Sequence, residues 1–214
     1  MNHTAPLQGP EIQRIVAECG LRCPGELADE IETYLALLAK WNDHLNLTGI
    51  RDPSVQLRTL FCESFLAARL LDPSEGSILD VGSGAGFPGM AMALYCHDLR
   101  IILLEPRKKR LAFLNTVLRE LGLTNVSVCE GRLENSRQED FPVPPATVTA
   151  RGLGDLTGLV RAASRLLCEP RKILLFLSTS QIASVRSDLR EVHWDPPTVV
   201  SWHPGHQILL GRLP

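Results

Sequence analysis

The most restrictive stretch of this chain is an apolar run that stops at an acid and breaks into glycine: Ser77-Ile78-Leu79-Asp80-Val81-Gly82-Ser83-Gly84-Ala85-Gly86-Phe87-Pro88-Gly89. Glycine fills four of the eight positions from 82 to 89. Ile78 to Val81 has the length and β-branched content of a buried strand, and Pro88 to Tyr95 reads as a helix, with proline in the first turn. Glycine between them permits positive φ and close approach of a ligand to the main chain. The stretch is therefore a strand, a bare loop and a helix, the opening unit of a sheet whose next strand runs parallel.

The rest of the sequence repeats that unit. Arg100 to Leu104 reads as a strand and Lys108 to Leu121 as a helix; Val126 to Cys129 is a third strand, followed by a proline-rich loop to Pro145. Thr147 to Ala150 is a strand, Asp155 to Leu167 a helix and Lys172 to Leu177 a strand. The tail segments "PPTVVSW" and "HQILLGRL" predict a hairpin pair at a sheet edge. Alternating strands and helices predict an α/β fold with a mostly parallel sheet, helices on both faces, and ligands bound beyond the carboxyl ends of the strands.

Ahead of this region the period changes to that of helices. Leu27, Ile31, Tyr34, Leu35, Leu38, Trp41 and Leu45 form one stripe, and Asp52-Pro53 predicts a cap and first turn for a second long helix carrying Val55, Leu57, Leu60, Phe61, Phe65 and Leu66. A shorter helix is expected over Glu11 to Cys19. Asn46-Leu47-Thr48 reads as a helix-ending turn in which Asn46 bonds local backbone. The turn-rich "DPSEGS" marks a boundary, giving an N-terminal helical segment over 1–72 and a ligand-binding domain over 73–214. The N-terminus lacks the pattern of a signal peptide and no apolar window has the length of a membrane span, so a cytoplasmic protein is expected. The six cysteines are scattered, which suits reduced thiols. No spare apolar helix face is evident, and a monomer is expected.

Three features bear on the ligand. A dinucleotide loop of the G-x-G-x-x-G type needs glycine at position 87, where this chain has Phe87, and a Walker loop needs a lysine that is absent. The spacing suits enzymes that use S-adenosylmethionine, with the loop, including Gly82, Gly84 and Gly86, around the amino-acid part of the cofactor and Asp80 near its ammonium. Glu105 ends the strand "IILLE" about twenty residues further on, where an acid reaches ribose hydroxyls. "EGRLEN", Glu130 to Asn135, either flanks an adenine through the amides of Leu133 and Glu134 or is a plain loop.

Arg107-Lys108-Lys109-Arg110 is the densest basic run, although net charge is −2 and the pI about 6.3. These cations open a helix, where the dipole opposes them. They suit RNA phosphates, or form a solvated face. His97, His193, His203 and His206 show no spacing of a metal motif and are expected at the surface or as caps; no metal is expected.

The motifs "KWNDHLNLTGIRDP", "LDVGSGAGFPG", "LLEPRKKRLAFLNTV", "GRLEN" and "TARGLGDL" resemble those of the ribosomal small-subunit methyltransferase G family (RsmG, also GidB), over most of residues 26 to 177. The resemblance implies a class I methyltransferase fold, Rossmann-like with a seven-stranded sheet and an N-terminal helical extension. It implies methylation by S-adenosylmethionine of N7 of one guanine in small-subunit ribosomal RNA, free or in the small subunit. By position, Gly82, Phe87, Leu133, Glu134 and Arg151 would touch the cofactor, Glu105 its ribose, and Arg132 and Arg151 would flank the guanine pocket as the catalytic pair. Two places depart from the family: "TLFCESF" carries Leu60 where many relatives have histidine, and "LLFLSTS" lacks a Lys-Gly pair. Alternatives are a diverged methyltransferase acting on a small molecule or a protein, and a non-catalytic nucleoside-binding ribosome assembly factor.

Overall fold

The structure is a computed structural model that describes residues 6–214. Helices α1 (Gly9–Glu18) and α2 (Gly25–Leu45) come first. Next are α3 (Pro53–Gln56), a segment with wider, π-helical turns (Leu57–Cys62), and α4 (Glu63–Ala68), which follow one another without a break. Asp52 caps α3 as its sequence predicts, its carboxylate accepting from the amides of Ser54 and Val55. At the end of α2, Asn46 takes the left-handed conformation, but the side chain that closes the turn is that of Asn42, which donates to the Thr48 carbonyl and accepts the Thr48 amide.

The alternating region then forms β1 (Ser77–Val81), α5 (Gly89–Tyr95), β2 (Arg100–Glu105), α6 (Lys108–Glu120), β3 (Val126–Glu130), β4 (Pro145–Arg151), α7 (Leu156–Leu166), β5 (Lys172–Ser178), α8 (Thr179–Asp188), β6 (His193–Trp194), β7 (Thr198–Val199) and β8 (His206–Arg212). The strand order is β3-β2-β1-β4-β5-β8-β6, with β7 also on β8. The pairs among β1 to β5 are parallel, and β8 runs antiparallel to β5. Seven positions cross the sheet, because β6 and β7 pair with different parts of β8. The tail is therefore not a simple edge hairpin: β8 is interior, and the segment before it contributes only two-residue pairings. Helix α8 has no counterpart among the expected elements; its apolar pattern is weak and its buried residue is Val185.

Two cores flank the sheet. On one side Ile78, Ile101, Leu103 and Leu174 meet α1, α2, α4, α5 and α6, so the N-terminal helices share a core with the sheet. On the other Leu79, Val81, Ile102, Leu104, Val148 and Ile173 meet α7 and α8. The alternation of neighbouring residues between the two cores is the period of two of a strand covered on both faces. Strand β1 is buried throughout, and Asp80 is the one charged side chain on it. The chain builds outward from β1 through β2 and β3, then crosses to β4, so the order reverses at β1 and β4. Crevices for ligands form at such a reversal.

Candidate active site

The loop after β1 is held by its own hydrogen bonds. The amides of Gly82 and Ser83 donate to the Leu104 carbonyl, those of Gly86 and Phe87 to the Ser83 carbonyl, and that of Gly84 to Glu105 Oε2 at 2.9 Å. The Gly89 amide donates to Asp80 Oδ2 at 3.1 Å. The loop thus has no row of free N–H groups of the sort that cradles a phosphate. It offers carbonyls and bare α-carbons, which suit a ligand carrying an ammonium.

Asp80 is 0% exposed, and its second oxygen, Oδ1, has no partner within the protein. Burial pushes its pKa up to about 7, against the lowering effects of the Gly89 amide and Ser83. A buried carboxylate oxygen without a donor is costly, and a ligand cation would satisfy it. Gly82, at φ +71, has open space where a Cβ would stand. These features fit the amino-acid end of S-adenosylmethionine. Glu105, 1% exposed, accepts the Gly84 amide at Oε2 and the Arg107 amide at Oε1, 3.0 Å away. A carboxylate has about four acceptor sites. About two therefore remain for ribose hydroxyls.

Gly86 and Phe87 face the other way. A Cβ on Gly86 would overlap the Tyr34 hydroxyl and lie 3.0 Å from Met90 Cβ. That hydroxyl donates to the Ala85 carbonyl at 2.6 Å. The Phe87 ring is 7% exposed, stacked on Tyr34 with centroids 5.3 Å apart and edge-on to Phe61. The missing side chain of Gly86 makes room for α2, so only its main chain is left to face a ligand. Phe87 keeps only its main chain for a ligand, because its ring anchors the loop to the N-terminal helices.

Beyond the ends of β2 and β3 lies a cleft of about 560 Å³ lined by Leu104, Cys129, Gly131, Arg132, Asn135 and Phe141, among others. Gly131, Arg132 and Asn135 bring the Glu130 to Asn135 segment to its wall. Leu133 is buried and Glu134 exposed, and neither side chain forms its wall.

Arg132 and Arg151, the expected flanks of a guanine pocket, stand on different parts of the sheet end. Strands β3 and β4 are three spacings apart in the sheet, about 14 Å at 4.8 Å each. Arg132 lines the cleft, whereas Arg151, at the end of β4, turns toward the N-terminal helices. Its Nη1 donates to the Thr59 carbonyl in the π-helical segment at 3.0 Å, its Nη2 to Glu63 Oε2 at 2.9 Å, and its guanidinium lies 4.3 Å from the Phe176 ring centroid. Burial lowers its pKa while Glu63 and Asp80 oppose that shift. Arg151 is thus a fixed charge joining α4 to β4, with only the buried Nε unpartnered.

The basic run also divides. Arg107, Lys108 and Lys109 are exposed and, with Arg110, His44 and Leu45, line a hollow of about 360 Å³. Arg110 is half-buried, with Nη1 3.9 Å from Glu105 Oε2. It backs Glu105, while the first three face outward.

Sequence reading did not bring Glu63, His203 and His206 together. Glu63 is 1% exposed, and its Oε1 lies 2.6 Å from His203 Nδ1 and 3.4 Å from His206 Nδ1. The two imidazoles stack with centroids 3.6 Å apart. Both are partly exposed, as surface histidines are, but they are paired with each other and with a buried acid. His203-Pro204-Gly205-His206 was the available signal: proline then glycine at the centre of four residues is turn chemistry that brings the outer two together. Their partner, however, lies 140 residues away from His203.

Similarity to known proteins agrees with this architecture. Among solved structures, the glycopeptide N-methyltransferase MtfA, complexed with S-adenosyl-L-homocysteine, matches with a TM-score of 0.56 at 15% identity, over 71% of this chain and 89% of that one. A predicted O-methyltransferase from Agrobacterium tumefaciens matches with a TM-score of 0.56 at 17% identity, over 70% and 79%. Both likenesses establish the class I methyltransferase fold alone. In sequence, the ribosomal RNA small subunit methyltransferase G of Cupriavidus pinatubonensis is 36% identical over 74% of this chain and 71% of its own length. That of Methylobacillus flagellatus is 36% identical over 72% and 73%. The model of the GidB family, rRNA small subunit methyltransferase G, matches residues 27–200, and the chain belongs to that family.

Proposed function

We propose that this protein transfers the methyl group of S-adenosylmethionine to N7 of a guanine in small-subunit ribosomal RNA. The observation that carries the reading is the unpartnered Oδ1 of Asp80 beside an open glycine loop, with Glu105 on the adjacent strand. Family membership supplies the substrate class. When bound, S-adenosylmethionine supplies an electrophilic sulfonium methyl. Asp80 and the carbonyls of the loop would hold its ammonium, Gly82 would leave room for its chain, Gly84 would steady Glu105 through its amide, Glu105 would take the ribose hydroxyls, and the main chain at Leu133 and Glu134 would border the adenine cleft.

Guanine N7 has an in-plane lone pair and loses no proton on attack, so the site needs no general base. Positioning then dominates catalysis, and in well-oriented reactions contributes roughly 7–11 kcal/mol. Arg151 keeps α4 and β4 in register at the acceptor side and shapes the pocket from behind. Arg132, at the cleft, contacts phosphate or the cofactor's edge. With an overall charge of −2, RNA affinity rests on a local patch, and Arg107, Lys108 and Lys109 provide it. No helix among the described residues is long and apolar enough to cross a membrane. A cytoplasmic monomer acting on ribosomal RNA, free or in the small subunit, completes the reading.

The test is methyl transfer to purified small ribosomal subunits and to their naked RNA, followed by nucleoside mass spectrometry. New 7-methylguanosine in one RNA fragment is expected. Cofactor binding without any new methylated nucleoside would overturn the activity.

A further inference from the structure

We infer that Glu63, His203 and His206 form a binding site for a divalent transition-metal cation of the zinc class. The three ligand atoms lie within 4.8 Å of one another, and one belongs to a buried carboxylate. The site is built by local structure. The His206 amide donates to the His203 carbonyl at 3.0 Å, and Gly205 takes φ +90, closing the His-Pro-Gly-His turn so that both imidazoles face Glu63. The amide of Val200 donates to the His206 carbonyl and that of His203 to the Val200 carbonyl, which fixes the turn to its flanking segments.

The charge pattern argues that the imidazoles are more than counter-ions. Glu63 Oε2 is already balanced by Arg151, whose Nη2 donates to it at 2.9 Å. Its other oxygen, Oε1, faces two imidazoles that structural neutrality does not require. Two imidazole nitrogens and one carboxylate oxygen form a donor set that zinc and its neighbours favour. Bonds of about 2.0–2.2 Å in a tetrahedral site put neighbouring ligand atoms roughly 3.3–3.6 Å apart. Oε1 and His206 Nδ1 are already at 3.4 Å, while Oε1 and His203 Nδ1 are at hydrogen-bond distance, 2.6 Å. The cation takes the place of the hydrogen between His203 Nδ1 and Glu63 Oε1, which passes to Nε2 of a neutral ring or to solvent from an imidazolium, and the stacked rings fan apart to direct both nitrogens at it. The two side chains are 33% and 38% exposed, so they have room to turn. Arg151 stays as the outer hydrogen bond that orients the carboxylate, an arrangement common around metal ligands. The fourth position is left open toward solvent.

The experiment uses the full chain stripped with a chelator. Calorimetric titration with zinc chloride is expected to show one saturable equivalent and a raised melting temperature. Cobalt(II) in its place is expected to give visible bands without the intense near-ultraviolet thiolate band of a cysteine site. His203→Ala and His206→Ala, checked for an unchanged circular dichroism spectrum, are each expected to abolish the equivalent. No saturable zinc binding, binding undiminished in both variants, or a thiolate band from the cysteines would each overturn the inference. None of these readouts involves the cofactor or RNA, so their failure is separate from failure of methyl transfer.

Discussion

Gly86→Ala separates a glycine that makes room for the protein from one that makes room for a ligand. A Cβ there would overlap the Tyr34 hydroxyl, lie 3.0 Å from Met90 Cβ and 3.3 Å from Leu114 Cδ2, and sit on a backbone at φ +86. The backbone contribution is about 1–2 kcal/mol for an L-residue in the left-handed region. Overpacking adds about 1–3 kcal/mol. The variant should lose about 2–5 kcal/mol, a large fraction of an ordinary domain's stability. Tyr34→Phe deletes the atom that collides, at the loss of its bond to the Ala85 carbonyl, about 1 kcal/mol. The double variant should therefore be less destabilised than the sum of the singles, with a coupling of about 1 kcal/mol or more. Equilibrium urea unfolding of the four proteins without cofactor measures the cycle. Additivity within about 0.5 kcal/mol would refute the packing role. So would a fully stable Gly86→Ala protein that has lost cofactor affinity.

Two further predictions concern charge. The raised pKa of Asp80, about 7 against an ordinary 3.8, means that the native state keeps a proton the unfolded chain has lost between those values. Stability of the ligand-free protein should fall as pH rises through that window and level off above it, and Asp80→Asn should flatten the slope in pH-dependent unfolding. Because a ligand ammonium beside Oδ1 favours the carboxylate, binding S-adenosylmethionine below about pH 7 should release a fraction of a proton, read from the dependence of calorimetric heat on buffer ionisation. For the basic run, alanine at Arg107, Lys108 and Lys109 should weaken RNA binding and lower the salt slope by about 0.7 for each single-strand phosphate that is no longer neutralised. Arg110→Ala should instead weaken cofactor binding, because Arg110 faces Glu105. Equal effects of all four on the salt slope would contradict that division.

Local chemistry made much of this molecule legible. A buried strand ending in glycine, an acid at the end of the next strand and a capping aspartate before proline are each written within a few residues, and β1, Glu105 and Asp52 stand where those signals put them. Pairings between distant segments were not legible. That Gly86 also makes room for Tyr34, which lies 51 residues before its hydrogen-bond partner Ala85, is not written near the loop. Nor is the ion pair of Arg151 with Glu63, 88 residues away. The π-helical turns at Leu57–Cys62 leave no trace in the sequence, because their apolar spacing suits an ordinary helix equally well. Helix α8 buries too little to leave a strong periodic trace.

The most direct measurement is a crystal structure of the protein with S-adenosylhomocysteine. The amino group is expected within hydrogen-bond reach of Asp80 Oδ1 or the Gly82 carbonyl, the ribose hydroxyls on Glu105, and the adenine in the cleft beside Arg132. Density for the nucleoside elsewhere, or a ribose that leaves Glu105 untouched, would contradict the assignment of this loop and acid to the cofactor.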